Sequence, residues 1–284
     1  ENELRLRSVP DFELKSSYTI RVQTRDQGNR TFAKVFTITV TNVNEAPTSS
    51  TDFFTATTAV DALQGLGGND GFFVGIGALN SGDSFDGGAD VDQLSLSGGS
   101  STQLLTIDLS QANQFVSLTN GPAFGTAPIF TGFEDVNLSG FAGAGVLAGN
   151  SEANRFTASA RKDILTGNAG ADTFALNSLG HSLLTAFDVI TDYSSADLID
   201  APGAIAATLT NSSGNATSLS NSAIAAVLTS AAFPADSARA FTVTGQSGTF
   251  IALNNATAGF SSTTDAILHL SGYTIGALNP VTIL

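Results

Sequence analysis

Acidic side chains recur in this chain at a fixed distance from glycines and from large apolar residues. Read nine residues at a time, GLGGNDGFF (65–73), GGADVDQLS (87–95) and GNAGADTFA (167–175) each place glycine first. Asp70, Asp92 and Asp172 then fall sixth, and Phe72, Leu94 and Phe174 eighth. ATTAVDALQ (56–64), ALNSGDSFD (78–86) and ASARKDILT (158–166) carry Asp61, Asp83 and Asp163 at the sixth place and Leu63, Phe85 and Leu165 at the eighth. GNSEANRFT (149–157) puts Asn154 before Phe156, and GFAGAGVLA (140–148) puts Gly145 before Leu147. A carboxylate beside a glycine-rich loop suits one chemistry above others. Hard cations take about six to eight oxygen ligands, which loop carbonyls and one carboxylate from each of two stacked turns can supply.

The order of early glycines, sixth acid and eighth apolar residue is that of the G-G-x-G-x-D-x-U-x repeat, and it resembles the RTX, or hemolysin-type, calcium-binding family. The resemblance implies a parallel β-roll with calcium between turns two lines apart. Asp61 then faces Asp83, Asp70 faces Asp92, and Asn154 faces Asp172, while Gly145 faces Asp163. Around the second pair, Gly65, Gly67, Gly68, Gly87 and Gly88 keep the loop glycines, while Leu66 and Asp90 stand where glycine is usual. Val74 to Gly77 interrupt the phase between coils. Arg161 and Lys162 would repel a cation beside Asp163, which is expected to pair with one of them. A roll held by glycine turns and an apolar ladder alone, without calcium, is the competing expectation, most of all in the second block.

The elements that position these loops are mainly β. The fold expected is a parallel β-roll or β-helix body, with antiparallel sandwich strands before it and a small α+β domain after it. Tyr18, Ile20 and Val22 alternate with polar residues, as do Phe36, Ile38 and Val40, which predicts half-buried strands. Leu4 to Val9 reads as a further short strand. Asp11-Phe12-Glu13, Tyr18 to Asp26 and Asn42 to Pro47 resemble the second half of a cadherin-like module, so 1–47 is assigned to that unit. Residues 48–55 read as a linker and 56–203 as the roll, with 96–139 an inserted β segment and 187–200 a closing cap. Ser218 to Phe233 has helical spacing, and strand-like runs follow at 241–244, 249–253, 266–270 and 281–284. From Phe250 to Tyr273 the tail resembles the bluetail domain that ends some very large bacterial surface proteins, so 204–284 is assigned to it.

Composition narrows the function. The 284 residues carry a formal charge of −14; residues 1–47 hold seven Lys/Arg against six Asp/Glu, and no Lys or Arg occurs between Lys34 and Arg155. That argues against a nucleic-acid partner, which needs a basic stripe. There is no Cys, hence no disulfide framework. No stretch approaches the roughly 18 apolar residues of a membrane span. His181 and His269 lie far apart with no H-E-x-x-H pattern, and no G-x-S-x-G elbow occurs, so no enzyme activity is expected. Asp188, Asp192, Asp197 and Asp200 read as a solvated or calcium-linked edge rather than a glycosidase pair. The expectation is a calcium-binding, adhesive structural protein of the bacterial surface or exterior, a monomeric module of a longer chain. The resemblance also implies type I export through a signal at Ser271 to Leu284. The alternative is the export and stability module of a secreted protease or lipase whose catalytic domain lies upstream.

Overall fold

The computed structural model describes residues 17–39, 47–203 and 205–284, in two units that divide after Ala46. In the first unit the alternating runs form an antiparallel hairpin, Ser17–Arg25 against Thr31–Thr39. Asp26 closes its turn: the carbonyl accepts from the Asn29 N–H at 3.1 Å and the carboxylate from the Arg30 N–H at 2.8 Å. Most of its side chains are exposed, not half-buried as alternation predicts, because a two-stranded ribbon buries little by itself. The strand expected at 4–9, the acidic motif at 11–13 and the exit motif at 42–46 lie outside the described residues.

The second unit, Pro47–Leu284, is a two-sided β-roll. One sheet runs in the order Ala207–Leu209, Val281–Ile283, Leu198–Asp200, Thr173–Ala175, Arg155–Thr157, Asp135–Phe141, Gln93–Gly98, Gly71–Gly75 and Phe53–Thr55. All its pairs are parallel except the first. The strands between these in sequence form two more sheets. One is Ile129–Thr131, Ser84–Asp86 and Ala62–Gln64, all parallel. The other runs Ser212–Ala216, Ala238–Val243, Thr249–Leu253, Ala266–Leu270, Asp188–Ile190, Ile164–Thr166, Ala144–Ala148, Leu104–Asp108 and Phe115–Thr119, parallel through the middle.

The eighth-place residues explain this winding. Each is the inward side chain of a very short strand, and stacking it on its counterpart in the next coil closes a core that one coil could not. Phe54, Phe72, Leu94, Val136, Phe156, Phe174, Ile199 and Ile283 stand in register down one side and are all buried. The rings of Phe54 and Phe72 are 4.7 Å apart and those of Phe156 and Phe174 6.3 Å. Leu147, Leu165, Ile190 and Leu270 stack down the other.

Several expected boundaries move. The linker at 48–55 ends in the first rung, because Asp52-Phe53-Phe54 already carries the acid and the inward residue, and Phe54 pairs with Phe72. The coiling continues past Ala175 through Asp188–Ile190 and Leu198–Asp200. The inserted segment 96–139, by contrast, extends the same stack as expected, since Leu104–Asp108 and Asp135–Phe141 join its sheets. Residues 205–284 are not a separate domain: Ala266–Leu270 and Val281–Ile283 add the last parallel rung to each side, and antiparallel strands follow. These cover the final sheet edge. The tail does add a second small core, around Ile224, Leu228, Phe233, Phe241 and Phe250. Its helix is Asn221–Val227, shorter than the 218–233 expected; Ser220 caps its start, and Leu228 leaves helical geometry at φ −96° and ψ 61°.

Candidate functional site

Most coils enter their strands through a polar residue two places before the stacked apolar one. Along the first sheet these are Asp52, Asp70, Asp92, Glu134, Asn154, Asp172 and Asp197, and along the others Asp61, Asp83, Asp163 and Asp188. A side-chain oxygen of one coil accepts the backbone N–H of its counterpart in the coil before. The N–H of Asp61 donates to Asp83 Oδ1 at 3.0 Å, that of Asp70 to Asp92 Oδ1 at 2.7 Å, and that of Asn154 to Asp172 Oδ1 at 2.9 Å. Each expected pair is thus brought together. The column reaches further through Asp52 to Asp70 (2.8 Å), Asp92 to Glu134 Oε2 (2.9 Å) and Asp172 to Asp197 (2.9 Å). The insertion at 74–77 does not break the register; it lengthens the strand pair, so that Val74 lies beside Leu96 and Gly75 beside Ser97.

The second oxygen separates these residues into two kinds. Asp61 accepts from the Thr57 N–H at 2.7 Å and the Thr57 hydroxyl at 2.9 Å, and Asp83 Oδ2 from the Asn80 N–H at 2.6 Å. Asp163 accepts from the Ser159 N–H at 2.7 Å, the Ser159 hydroxyl at 3.0 Å and the Gly145 N–H, so Ser159 and Gly145 hold it. Arg161 reaches the Ala142 carbonyl instead, and Lys162 lies over the Phe187 ring. Asn154 Oδ1 takes the Asn150 N–H at 2.9 Å. By contrast, Oδ2 of Asp70, of Asp92 and of Asp172 is buried and accepts no hydrogen bond.

These three residues close the three loops that turn left-handed at their second and fourth places. The φ values are 72° and 97° at Leu66 and Gly68, 106° and 78° at Gly88 and Asp90, and 65° and 130° at Asn168 and Gly170. Such turns reverse peptide planes, and they present oxygens where the other loops present N–H. A Cβ placed on Gly65 would lie 2.0 Å from Asp70 Oδ2 and 2.1 Å from the Gly87 carbonyl. One on Gly87 would lie 2.2 Å from the Gly132 carbonyl and 2.8 Å from Asp92 Oδ2, and one on Gly167 would lie 2.3 Å from Asp172 Oδ2. The cradles are therefore walled by glycine and lined by oxygen. Gly68 and Gly88 are needed where the coil above passes, against Ser50 and Leu66, whereas Gly67 has nothing near it.

Burial without a counter-cation raises the affinity of these carboxylates for protons. It pushes Asp92 and Asp172 up to about 6 and raises Asp70, with neighbouring acids adding to the effect. Glu134 is pushed up to about 7 by burial. Among the described residues no three His, Cys, Asp or Glu side chains converge. Beside the carboxylate oxygen, the Gly87 carbonyl lines the Asp70 cradle and the Gly132 carbonyl the Asp92 cradle, oxygen donors that suit a hard cation such as calcium rather than zinc. His269 stacks on Phe250 at 4.3 Å and bonds the Ser247 carbonyl, Asp200 pairs with Arg155, and Asp192 caps the N–H groups of Gly167 and Asn168.

The nine-residue reading missed Asp52, Glu134, Asp188 and Asp197 as members of the columns. The shorter acid-x-apolar signal finds all four, in Asp52-Phe53-Phe54, Glu134-Asp135-Val136, Asp188-Val189-Ile190 and Asp197-Leu198-Ile199. No protein-family model matches the chain, and no curated protein is significantly similar to it.

Proposed function

We propose that this chain is a non-enzymatic, calcium-organised structural module of a secreted or cell-surface protein, with adhesion as its use. The observation that carries the reading is the set of three buried, unpartnered oxygens on Asp70, Asp92 and Asp172, each at a left-handed loop. Leaving such an atom unpaired costs roughly 1–3 kcal/mol; a hard cation would satisfy it and neutralise the stacked acids. Where calcium is scarce the acids oppose compaction. At the weak affinities of extracellular sites, about 10⁻⁴–10⁻³ M, external calcium completes the cradles, and its binding free energy becomes folding free energy. The RTX-like roll, the cadherin-like hairpin and the bluetail-like end fit a long surface protein. An export signal at Ser271 to Leu284 would act on the unfolded chain, since Val281 and Ile283 are buried once folded.

The test is circular dichroism and thermal unfolding of the whole chain as calcium rises from chelator to about 10 mM, above the weak extracellular range. The β signal and Tm are expected to rise with calcium. The response should be lost in the Asp70→Asn/Asp92→Asn/Asp172→Asn triple variant and kept in Asp83→Asn, whose oxygens are already occupied. A chain equally stable with and without calcium would overturn the proposal.

A further inference from the structure

The nonapeptide register stops at Ser95 and restarts at Gly140, and nothing in the repeat assigns a site to the stretch between. We propose that the chain holds a divalent-cation site bridging the loop at 87–92 and the loop at 131–135, with Asp92, the Gly132 carbonyl and Glu134 as its determinants. This inference rests on the calcium reading above and extends the Asp92 cradle to residues that the repeat does not contain.

Three observations carry it. Asp92 is fully buried, and its Oδ2 takes no hydrogen bond. That oxygen and the Gly132 carbonyl approach one point, 2.8 Å and 2.2 Å from where a Gly87 side chain would begin. Residues 131–135 reach this position after the chain has run through the strands at 104–108, 115–119 and 129–131, and Val136 then stacks on Leu94. There Glu134 occupies the acid's place, and its Oε2 accepts the Asp92 N–H at 2.9 Å across 42 residues of sequence. Gly132 has φ 67°, the left-handed conformation found in the other oxygen-lined loops. Asp70, Asp86 and Asp90 also act electrostatically on Asp92, so charge at this point is concentrated and negative. Oxygen donors without nitrogen or sulfur select a hard ion.

The two acids have separate tasks. Asp92 offers the free oxygen, whereas Glu134 holds the Asp92 backbone and supplies charge. Glu134→Gln keeps an acceptor for that N–H and removes only the charge, so it separates a cation-binding role from a structural one.

The experiment is calorimetric titration of calcium into the chelator-stripped full chain, comparing wild type with Glu134→Gln, Asp92→Asn and Asp70→Asn. Glu134→Gln and Asp92→Asn should each weaken the same single site, by roughly 10–100-fold, and their double variant should lose no further ion. Asp70→Asn combined with Glu134→Gln should lose two. Wild-type binding that persists unchanged in both Glu134→Gln and Asp92→Asn would overturn this site and leave the Asp70 site standing. A wild-type chain that binds no calcium would overturn both.

Discussion

The Asp70 N–H donates to Asp92 Oδ1 at 2.7 Å, while Oδ2 of the same Asp92 carboxylate lies buried with no partner. In Asp70, Asp92 and Asp172 one oxygen is thus structural, tying coil to coil, and the other is left for chemistry. Asp61 and Asp83, on the opposite side, have both oxygens engaged, those of Asp61 by Thr57 and those of Asp83 by the N–H groups of Asn80 and Asp61. The roll therefore holds its acids in two ways: hydrogen bonds complete the Asp61–Asp83 pair from within, and three loops of the Asp70–Asp172 column stay open to a cation.

The glycines of one loop should respond very differently to a methyl group. Gly65→Ala would place its Cβ against Asp70 Oδ2 and the Gly87 carbonyl, so it should abolish calcium binding at the Asp70 loop and cost more than about 2 kcal/mol, the range of severe steric substitutions. Gly67→Ala meets open space and should stay within roughly 0.5 kcal/mol of wild type. Leu66 is exposed and holds φ 72°, so Leu66→Gly should stabilise the loop by about 1 kcal/mol. Denaturant unfolding with and without calcium checks all three. A tolerant Gly65 or a destructive Gly67→Ala would contradict the cradle geometry.

How much of this was legible follows from periodicity. Asp70, Phe72, Asp92 and Leu94 could be placed because acid and core residue recur at fixed spacing. The spacing could not show which acids keep a free oxygen. That depends on whether a loop offers an N–H, as Thr57 and Ser159 do, or turns left-handed, as the loops of Asp70 and Asp172 do. Leu66 was legible only as standing where glycine is usual; that it keeps the left-handed turn, at φ 72°, was not. Glu134 was hidden by distance: its partner Asp92 lies 42 residues earlier, and only the stacked register joins them. The tail looked like a domain because its composition changes, yet Leu270 and Ile283 continue the two core ladders.

Gln114 marks the place where one side of the roll divides into two sheets. It is buried, its amide nitrogen donates to the Phe133 carbonyl at 3.0 Å and the Leu109 carbonyl at 3.4 Å, and its oxygen accepts the Phe133 N–H at 3.1 Å. Gln114→Leu keeps much of the volume and strands those backbone groups, at roughly 1–3 kcal/mol for each left buried without a partner. A fall in chemical stability of at least about 2 kcal/mol is expected, with calcium affinity at the Asp70 loop unchanged. Equal stability would mean that the junction is held by Phe115, Phe130 and Phe133 packing alone.

The Asp163–Asp188 step should make stability depend on pH even in chelator. Both carboxylates are buried, and the Asp163 N–H donates to Asp188 Oδ1 at 2.7 Å, while Asp188 Oδ2 has no partner. Burial pushes Asp163 up to about 6; burial and then the charge of Asp163 raise Asp188, against which Lys162 acts in the opposite sense. Their folded forms therefore hold protons that the unfolded chain has released near its ordinary value of 3.8. The sign follows: their contribution is complete below about pH 4 and is lost as pH rises through about 6. Asp188→Asn, which fixes an uncharged side chain, should flatten the decline and raise Tm at pH 8 relative to wild type. Thermal unfolding in chelator from pH 4 to pH 8 measures both, and a Tm that climbs with pH in wild type, or falls at pH 8 in the variant, would refute this assignment.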